Sequence, residues 1–418
     1  MSSTVEGRSF SAFAVLSKQT MKQLWYRCWH WLCARIYFER ITLLQGGKLP
    51  ECGPTLYIVL HRNGAVDGFV YHQVVPRGVF LVSTQLLRGF FSRLFFCGIA
   101  VARKQDEGDR SQNEAALREC VELLKRGGEL VVFPEGTSSL GPRHLPFKSG
   151  AASMALDALV HGIPLRVVPL GIHYECAWAF RSRIEIVVGE PVSTEFSAGL
   201  GELGKFKEMK RRMTTALEAV GANFESAETQ EAAEKLAYMV TQGTRRSYYS
   251  SLKVFESGLP ELLLARWRDL MSGFSSSGVL LHQGVPLFPA GPWFLDALLL
   301  LGLGPLVLAG ATLNFPPLLA GWLAARRFAD DRNVIALWRI LVGLPLMVAW
   351  SAVVAISLAY FTGWFWLAGY IILTIVSLES LDRTKKLVVT VWNGLRHRNL
   401  ARSAWGFHQD VLKNLPQE

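Results

Sequence analysis

The chain has 418 residues, half of them hydrophobic and 19% charged, with 44 Lys+Arg against 34 Asp+Glu for a formal charge of +10. At ~150 residues per domain this is room for two or three domains, and the low charged fraction argues against a wholly soluble enzyme. A basic chain attracts nucleic acid or anionic lipid. Here the basic residues do not interleave with aromatics on one stripe and many flank apolar runs, so a lipid bilayer is expected and no nucleic acid.

Residues 1 to 20 contain no apolar core of a secretory signal. In "MKQLWYRCWHWLCARIY" (21–37), Met21, Leu24, Trp25, Cys28, Leu32 and Ile36 recur at helical spacing, while Lys22, Arg27, His30 and Arg35 fall elsewhere. Residues 1–50 are therefore expected to form an amphipathic helix region at the membrane interface, the alternative being a helix packed on the protein's own core. The six cysteines show no C-x-x-C and no even framework, so neither zinc nor structural disulfides are expected. Cys28 and Cys33 read as small buried hydrophobes rather than palmitoylation sites.

From 51 to 195, short apolar runs alternate with helical patterns. "TLYIVL" (55–60), "VFLVS" (79–83), "GIAVA" (98–102), "ELVVF" (129–133), "RVVPLGI" (166–172) and "IEIVV" (184–188) read as strands; 111–128 and 150–162 read as helices. The fold class this predicts is α/β, a mostly parallel sheet covered by helices. In "GIPLRVVPLGI" (162–172), Pro164 ahead of the fifth run and Pro169 within it argue for an edge strand or a bulge; the segment either lines an acyl channel or closes the sheet.

Residues 196–282 are polar and helix-prone. Lys205, Lys207, Lys210, Arg211 and Arg212 cluster there, as a solvated face or as a contact for anionic headgroups. Residues 283–380 change character. Asp296 is the sole charge from Gln283 to Ala325, and none occurs from Ile340 to Leu378. A bilayer core takes about 20 apolar residues, which 293–313 and 340–361 supply. The runs 314–325 and 362–378 are shorter, so two helical hairpins are expected, the first spanning or re-entrant. Asp296 lies near the start of its run, where an interfacial position competes with a functional one. Arg326, Arg327 and Arg332 lie between the hairpins. Arg383, Lys385, Lys386, Arg396 and Arg398 open a basic tail, 381–418. Positive clusters face the cytoplasm, which puts the α/β part there too.

Three motifs carry chemistry. In "HRNGAVDG", His61 follows a strand, and Asp67 six residues on can bond one ring nitrogen, leaving the other as a general base. "VVFPEGTSS" (131–139) ends a strand in a sharp turn with backbone N–H groups and two hydroxyls, near Arg143 and Lys148, an array suited to phosphate. Glu135 fits better as a group orienting a base or a hydroxyl. "CGIAVARK" (97–104) delivers Arg103 and Lys104 to the same sheet edge.

Together with the Pro-containing run, these resemble in order and spacing the four motifs of the glycerophospholipid acyltransferase family, which includes glycerol-3-phosphate and lysophosphatidate acyltransferases. The likeness covers roughly residues 50 to 195, with "FPEGTSS" its most specific part and "VGEPV" (188–192) matching the segment that closes the domain. The resemblance implies acyl transfer from acyl-CoA or acyl-carrier protein to a glycerol-phosphate hydroxyl in phospholipid biosynthesis. By the same resemblance His61 is the general base and Asp67 its partner. Arg103, Glu135, Gly136 and Thr137 correspond to acceptor-binding positions, with Ser138 and Lys148 beside them. No metal, and no cofactor beyond the acyl-donor substrate, is implied.

Three departures stand out. His61 and Asp67 have five residues between them where the common motif has four; a branch of larger glycerol-3-phosphate and dihydroxyacetone-phosphate acyltransferases shows the longer spacing. Ser138 replaces the arginine of F-P-E-G-T-R-S, so Arg143 or Lys148 is expected to supply its charge. The run from Gly98 to Arg103 is a residue short. With the extra residue, Asp67 reaches the imidazole only if the loop bulges, at Gly64, and Asn63 is the fallback partner. The competing readings are another lysophospholipid or alcohol as acceptor, and a non-catalytic lipid-binding scaffold.

Overall fold

Seven short runs form one sheet: β1 (Arg40–Leu44), β2 (Thr55–Val59), β3 (Gly78–Ser83), β4 (Ile99–Val101), β5 (Glu129–Val132), β6 (Arg166–Tyr174) and β7 (Arg183–Val188). Their spatial order is β1-β7-β6-β2-β5-β3-β4, and every pairing is parallel except β6 with β7. The computed structural model describes residues 6–89, 92–102 and 110–416, and side chains from 21–89, 92–102 and 113–416. Helices α1 (Glu6–Tyr37), α2 (Val66–Val74), α3 (Thr84–Arg88), α4 (Ser92–Phe95), α5 (Arg110–Lys125) and α6 (Gly150–Val160) accompany the sheet. Every residue of β2 and β5 is buried. Helices cover both faces there, which is why these strands read as unbroken apolar runs.

The expected α/β architecture is present, with two differences. β1 is an unforeseen edge strand, pairing parallel to β7 through Arg40↔Arg183 to Leu44↔Val187. β6 is an interior strand and not an edge; the bulge that Pro169 suggested lies opposite it, where the pairing slips by one residue between Leu170↔Val188 and Val167↔Val192. Pro169 aligns with Ile58 of β2, while its carbonyl accepts from Gly189 N–H at 2.9 Å. Its nitrogen therefore faces β7, just beyond the last β6–β7 pair, Leu170↔Val188. The missing N–H costs no ladder bond.

In α1, Tyr26, His30, Cys33, Ala34 and Tyr37 are buried, and the helix packs on α2 and α4. The apolar set picked out by spacing is largely the outward one: Met21, Leu24 and Trp25 are exposed, and so is Cys28, contrary to the burial expected of it. One helix thus serves the core with one face and presents a Trp-rich face outward, as an interfacial helix does.

Past the sheet, α7 (Glu202–Val220) buries Met209, Met213, Leu217 and Val220 against the α/β layers. In its basic cluster, Arg211 and Arg212 are both paired to Glu208. Helices α8 (Ala227–Thr241), α9 (Tyr248–Ser257) and α10 (Glu261–Ser277) build a second apolar core. A small hairpin, β8 (Leu281–His282) with β9 (Val285–Pro286), follows.

The C-terminal part contains α11 (Trp293–Leu313), α12 (Phe315–Phe328), α13 (Ile335–Trp338), α14 (Leu344–Phe361), α15 (Trp364–Arg396) and α16 (Arg398–Lys413). Among the described residues, three stretches are long and apolar enough to cross a membrane: Trp293–Leu313, Arg332–Phe361 and Trp364–Arg396. α15 is not apolar throughout, since Glu379 pairs with Arg35 and Arg181, and Lys385 donates to the Phe180 carbonyl. Its second half therefore lies on the α/β domain.

α11 runs antiparallel along α15, with Gly394 against Trp293 at one end and Gly310 against Ser377 at the other. The α11–α12 turn at Asn314 sits beside Tyr370 and Thr374, at 2.9 and 3.2 Å. From Glu379, α15 rises about 14 Å to Tyr370 and about 22 Å to Trp364. The first hairpin thus turns back before the second does. Tyr370 bonds Asn314 and Ser351, and Asn314 bonds the Gly310 carbonyl, so the turn satisfies its polar groups within the helices, as a lipid environment requires. The predicted basic tail is helical. α15 continues to Arg396, and α16 buries Phe407 and Val411 in the second core.

Candidate active site

β2 ends at Val59, and His61 emerges at its carboxyl end, with α2 starting five residues later at Val66. The intervening loop makes three successive turns, Asn63 C=O with Val66 N–H, Gly64 with Asp67 and Ala65 with Gly68. Gly64 adopts φ 53°, the left-handed conformation that glycine supplies without steric cost. The extra residue is absorbed there, and Asp67 Oδ2 comes within 2.8 Å of His61 Nδ1. Asn63 is not the partner; its side chain donates to the Ala177 carbonyl.

Asp67 is completely buried. Oδ2 also accepts from the backbone N–H groups of Arg62 (2.6 Å) and Asn63 (2.9 Å), and Oδ1 accepts from the Tyr174 hydroxyl at 2.6 Å. A carboxylate holding three donors besides the imidazole acts as an ionised acceptor, which puts the imidazole proton on Nδ1 and leaves a lone pair on Nε2. His61 packs against Phe133 with ring centroids 4.4 Å apart and the rings tilted by 35°.

The second motif braces the first. Glu135 is buried, with one carboxylate oxygen accepting from His61 N–H at 2.8 Å and the other from Leu145 N–H at 3.2 Å. Burial pushes its pKa above the usual carboxylate range. Both oxygens are committed to backbone, so Glu135 positions the His61 loop instead of offering its charge to an acceptor. Gly136 has φ 73°, and a Cβ there would lie 2.2 Å from Lys148 Nζ. The lysine thus folds its ammonium over the loop. Lys148 has no carboxylate within ion-pair distance among the described residues. Arg143 turns its Nε toward the Phe224 carbonyl, 3.5 Å away. Arg103 lies outside the described residues.

A cavity of about 250 Å³ opens at His61. Thr137 and Ser138 line its polar end, and Phe69, Phe80, Phe96 and Leu86 its apolar body. A larger polar cavity, about 610 Å³, lies beyond Arg62 and Tyr174 and is lined also by His144, Tyr248 and Arg332. The structure thus brings His61, Asp67, Thr137 and Ser138 together, with Glu135 and Gly136 supporting them and Lys148 above. Sequence reasoning missed Tyr174, two residues past the predicted end of its strand, and Asn333, whose side-chain amide donates to Ser138 O and Oγ, both at 3.2 Å. An aromatic with a polar tip at the end of an apolar strand was the available signal for Tyr174; nothing local marked Asn333.

Residues 40–173 match the Acyltransferase family model. This part of the chain is similar to that family, and the match covers about a third of the chain. Glycerol-3-phosphate O-acyltransferase 2 of Saccharomyces cerevisiae is 32% identical over 143 residues, 34% of this chain and 19% of that protein. A 1-acyl-sn-glycerol-3-phosphate acyltransferase of Chlamydomonas reinhardtii is 29% identical over 144 residues, 34% of this chain and 42% of its own. The chain therefore spans less than half the length of these curated relatives. The crystal structure of the 1-acyl-sn-glycerophosphate (LPA) acyltransferase from Thermotoga maritima aligns with 52% of this chain and 84% of its own at 20% identity, with a TM-score of 0.32.

Proposed function

We propose that the protein is a membrane-bound acyltransferase of phospholipid biosynthesis. It transfers a fatty acyl group from acyl-CoA or acyl-carrier protein to a hydroxyl of glycerol 3-phosphate or lysophosphatidate. The observation that carries this reading is the 2.8 Å contact between His61 Nδ1 and Asp67, which leaves Nε2 for the cavity shared with Thr137 and Ser138.

His61 Nε2 takes the acceptor's hydroxyl proton as its oxygen attacks the thioester carbonyl carbon. The tetrahedral intermediate collapses with cleavage of the C–S bond, and the imidazolium returns the proton to the leaving thiolate. Asp67 stabilises the imidazolium between these steps. Thr137, Ser138 and Lys148, joined by Arg103, are the groups proposed to hold the acceptor phosphate. The apolar body of the cavity suits the acyl chain.

The two helical hairpins and the outward face of α1 would hold this site where acyl chains partition. The basic residues between and after the hairpins fall on the side of the α/β domain, which by the positive-inside tendency is the cytoplasmic face. The test is a product assay with labelled acyl-CoA and acyl-carrier protein against glycerol 3-phosphate, lysophosphatidate, glycerol and monoacylglycerol. Acylation of the phosphorylated acceptors alone is expected. Equal acylation of the unphosphorylated alcohols would contradict the acceptor assignment.

A further inference from the structure

Residues 332–343, between the two hairpins, lie outside the matched acyltransferase domain, yet they close its cavity. Asn333 anchors the segment on Ser138, and its carbonyl oxygen stands 3.1 Å from where a Cβ of Gly64 would be. Val334 and Leu337 line the cavity together with Phe69, Phe96 and Leu86. Ala336, Leu337, Ile340 and Leu344 are buried in the same core as the sheet. Arg339 Nη1 donates to the Trp178 carbonyl at 2.9 Å and fixes the segment at its far end.

Beyond this anchor the backbone widens into a π-turn, Arg339–Gly343, before α14 enters the apolar region. Such turns recur at functional sites. Gly343 there packs against Gly321 of α12, where a Cβ on either residue would crowd the other helix's backbone at 3.2 to 3.4 Å. The wall is thus tied both to the FPEGT loop and to the first hairpin.

We propose that Val334 and Leu337 form the acyl-chain gauge of the enzyme, so that donor chain length is set by the membrane region and not by the α/β domain alone. The proposal rests on reading the His61 cavity as the acyl site. A wall with two hydrocarbon side chains inserted from outside the domain limits how far a chain can extend. Changing its bulk changes which donors fit, and one methylene in such a pocket alters discrimination by about 10- to 200-fold.

The test uses the full chain in lipid nanodiscs, with glycerol 3-phosphate or lysophosphatidate as acceptor and saturated acyl-CoAs from medium to long chain as donors. Leu337→Trp should shift the ratio of kcat/KM for medium over long donors upward by about tenfold or more, and Leu337→Ala should shift it the other way. Leu337 is buried, so Val334→Phe, at a half-buried position, provides a second narrowing variant expected to move the ratio with Leu337→Trp. A general folding defect lowers the rate for every donor alike and leaves the ratio where it was. If Val334→Phe and Leu337→Ala both remain active with the wild-type chain-length profile, the gauge is overturned while the acyltransferase reading stands. If the wild-type protein transfers no acyl group from any donor, the acyltransferase reading itself falls.

Discussion

Tyr174 donates its phenolic proton to Asp67 Oδ1 across 2.6 Å, tying the partner of the proposed base to the last residue of β6. Both groups are buried. Hydrogen bonds to charged groups contribute about 1.5–3 kcal/mol. Tyr174→Phe should therefore lower kcat by roughly tenfold or more with little change in KM for either substrate, because it disturbs the dyad and not the acceptor contacts. Steady-state kinetics across both substrates checks this.

Glu135 holds two backbone N–H groups with two oxygens. A glutamine has one acceptor oxygen and would turn an NH2 group toward the other donor. Glu135→Gln should lower the melting temperature by the equivalent of about 1–3 kcal/mol, the cost of a buried unsatisfied donor, and should lower activity by displacing His61. Thermal denaturation in detergent alongside an activity assay reads both.

Acid should weaken the fold through its buried histidines. Burial pushes His30, His72 and His173 down to about 4 and His144 to about 3 from 6.5. Between pH 6.5 and 4 the unfolded chain takes up protons that these folded histidines refuse. Their stabilisation is complete above 6.5 and is lost as pH falls through the folded values. The buried carboxyls of Glu135, Glu175 and Glu234 are pushed upward by burial and contribute with the opposite sign. His173→Gln isolates the histidine part, since the amide can still donate to the Val220 carbonyl that His173 bonds at 2.8 Å. The variant's melting temperature should fall less than that of the wild type between pH 6.5 and 4.

Much of the sheet was legible because its central strands are apolar on both faces and their carboxyl ends carry unusual strings. The six strands read from the sequence all form, within a residue or two of the expected ends. β1 escaped because an edge strand with a half-exposed pattern, "RITLL", has little periodicity to detect. In the site, the awkward H-x5-D spacing pointed to Gly64, where the backbone does turn left-handed. Glu135 was assigned by family position to the acceptor, but its backbone partners lie 74 and 10 residues away and leave no local mark. Asn333 and Leu337 were invisible for the same reason, since they join the site from the membrane region across nearly 200 residues of chain. On α1, periodicity found an apolar face but not which way it points, because both faces of that helix carry aromatic residues.

The central claim is that His61, oriented by Asp67, takes the acceptor's proton. It is tested most directly by thiol release from acyl-CoA in the presence of glycerol 3-phosphate, comparing wild type with folded His61→Ala in nanodiscs. A fall of about 10²–10⁴-fold in kcat for the variant is expected of a lost general base. Turnover by His61→Ala within a few fold of the wild type would contradict the account.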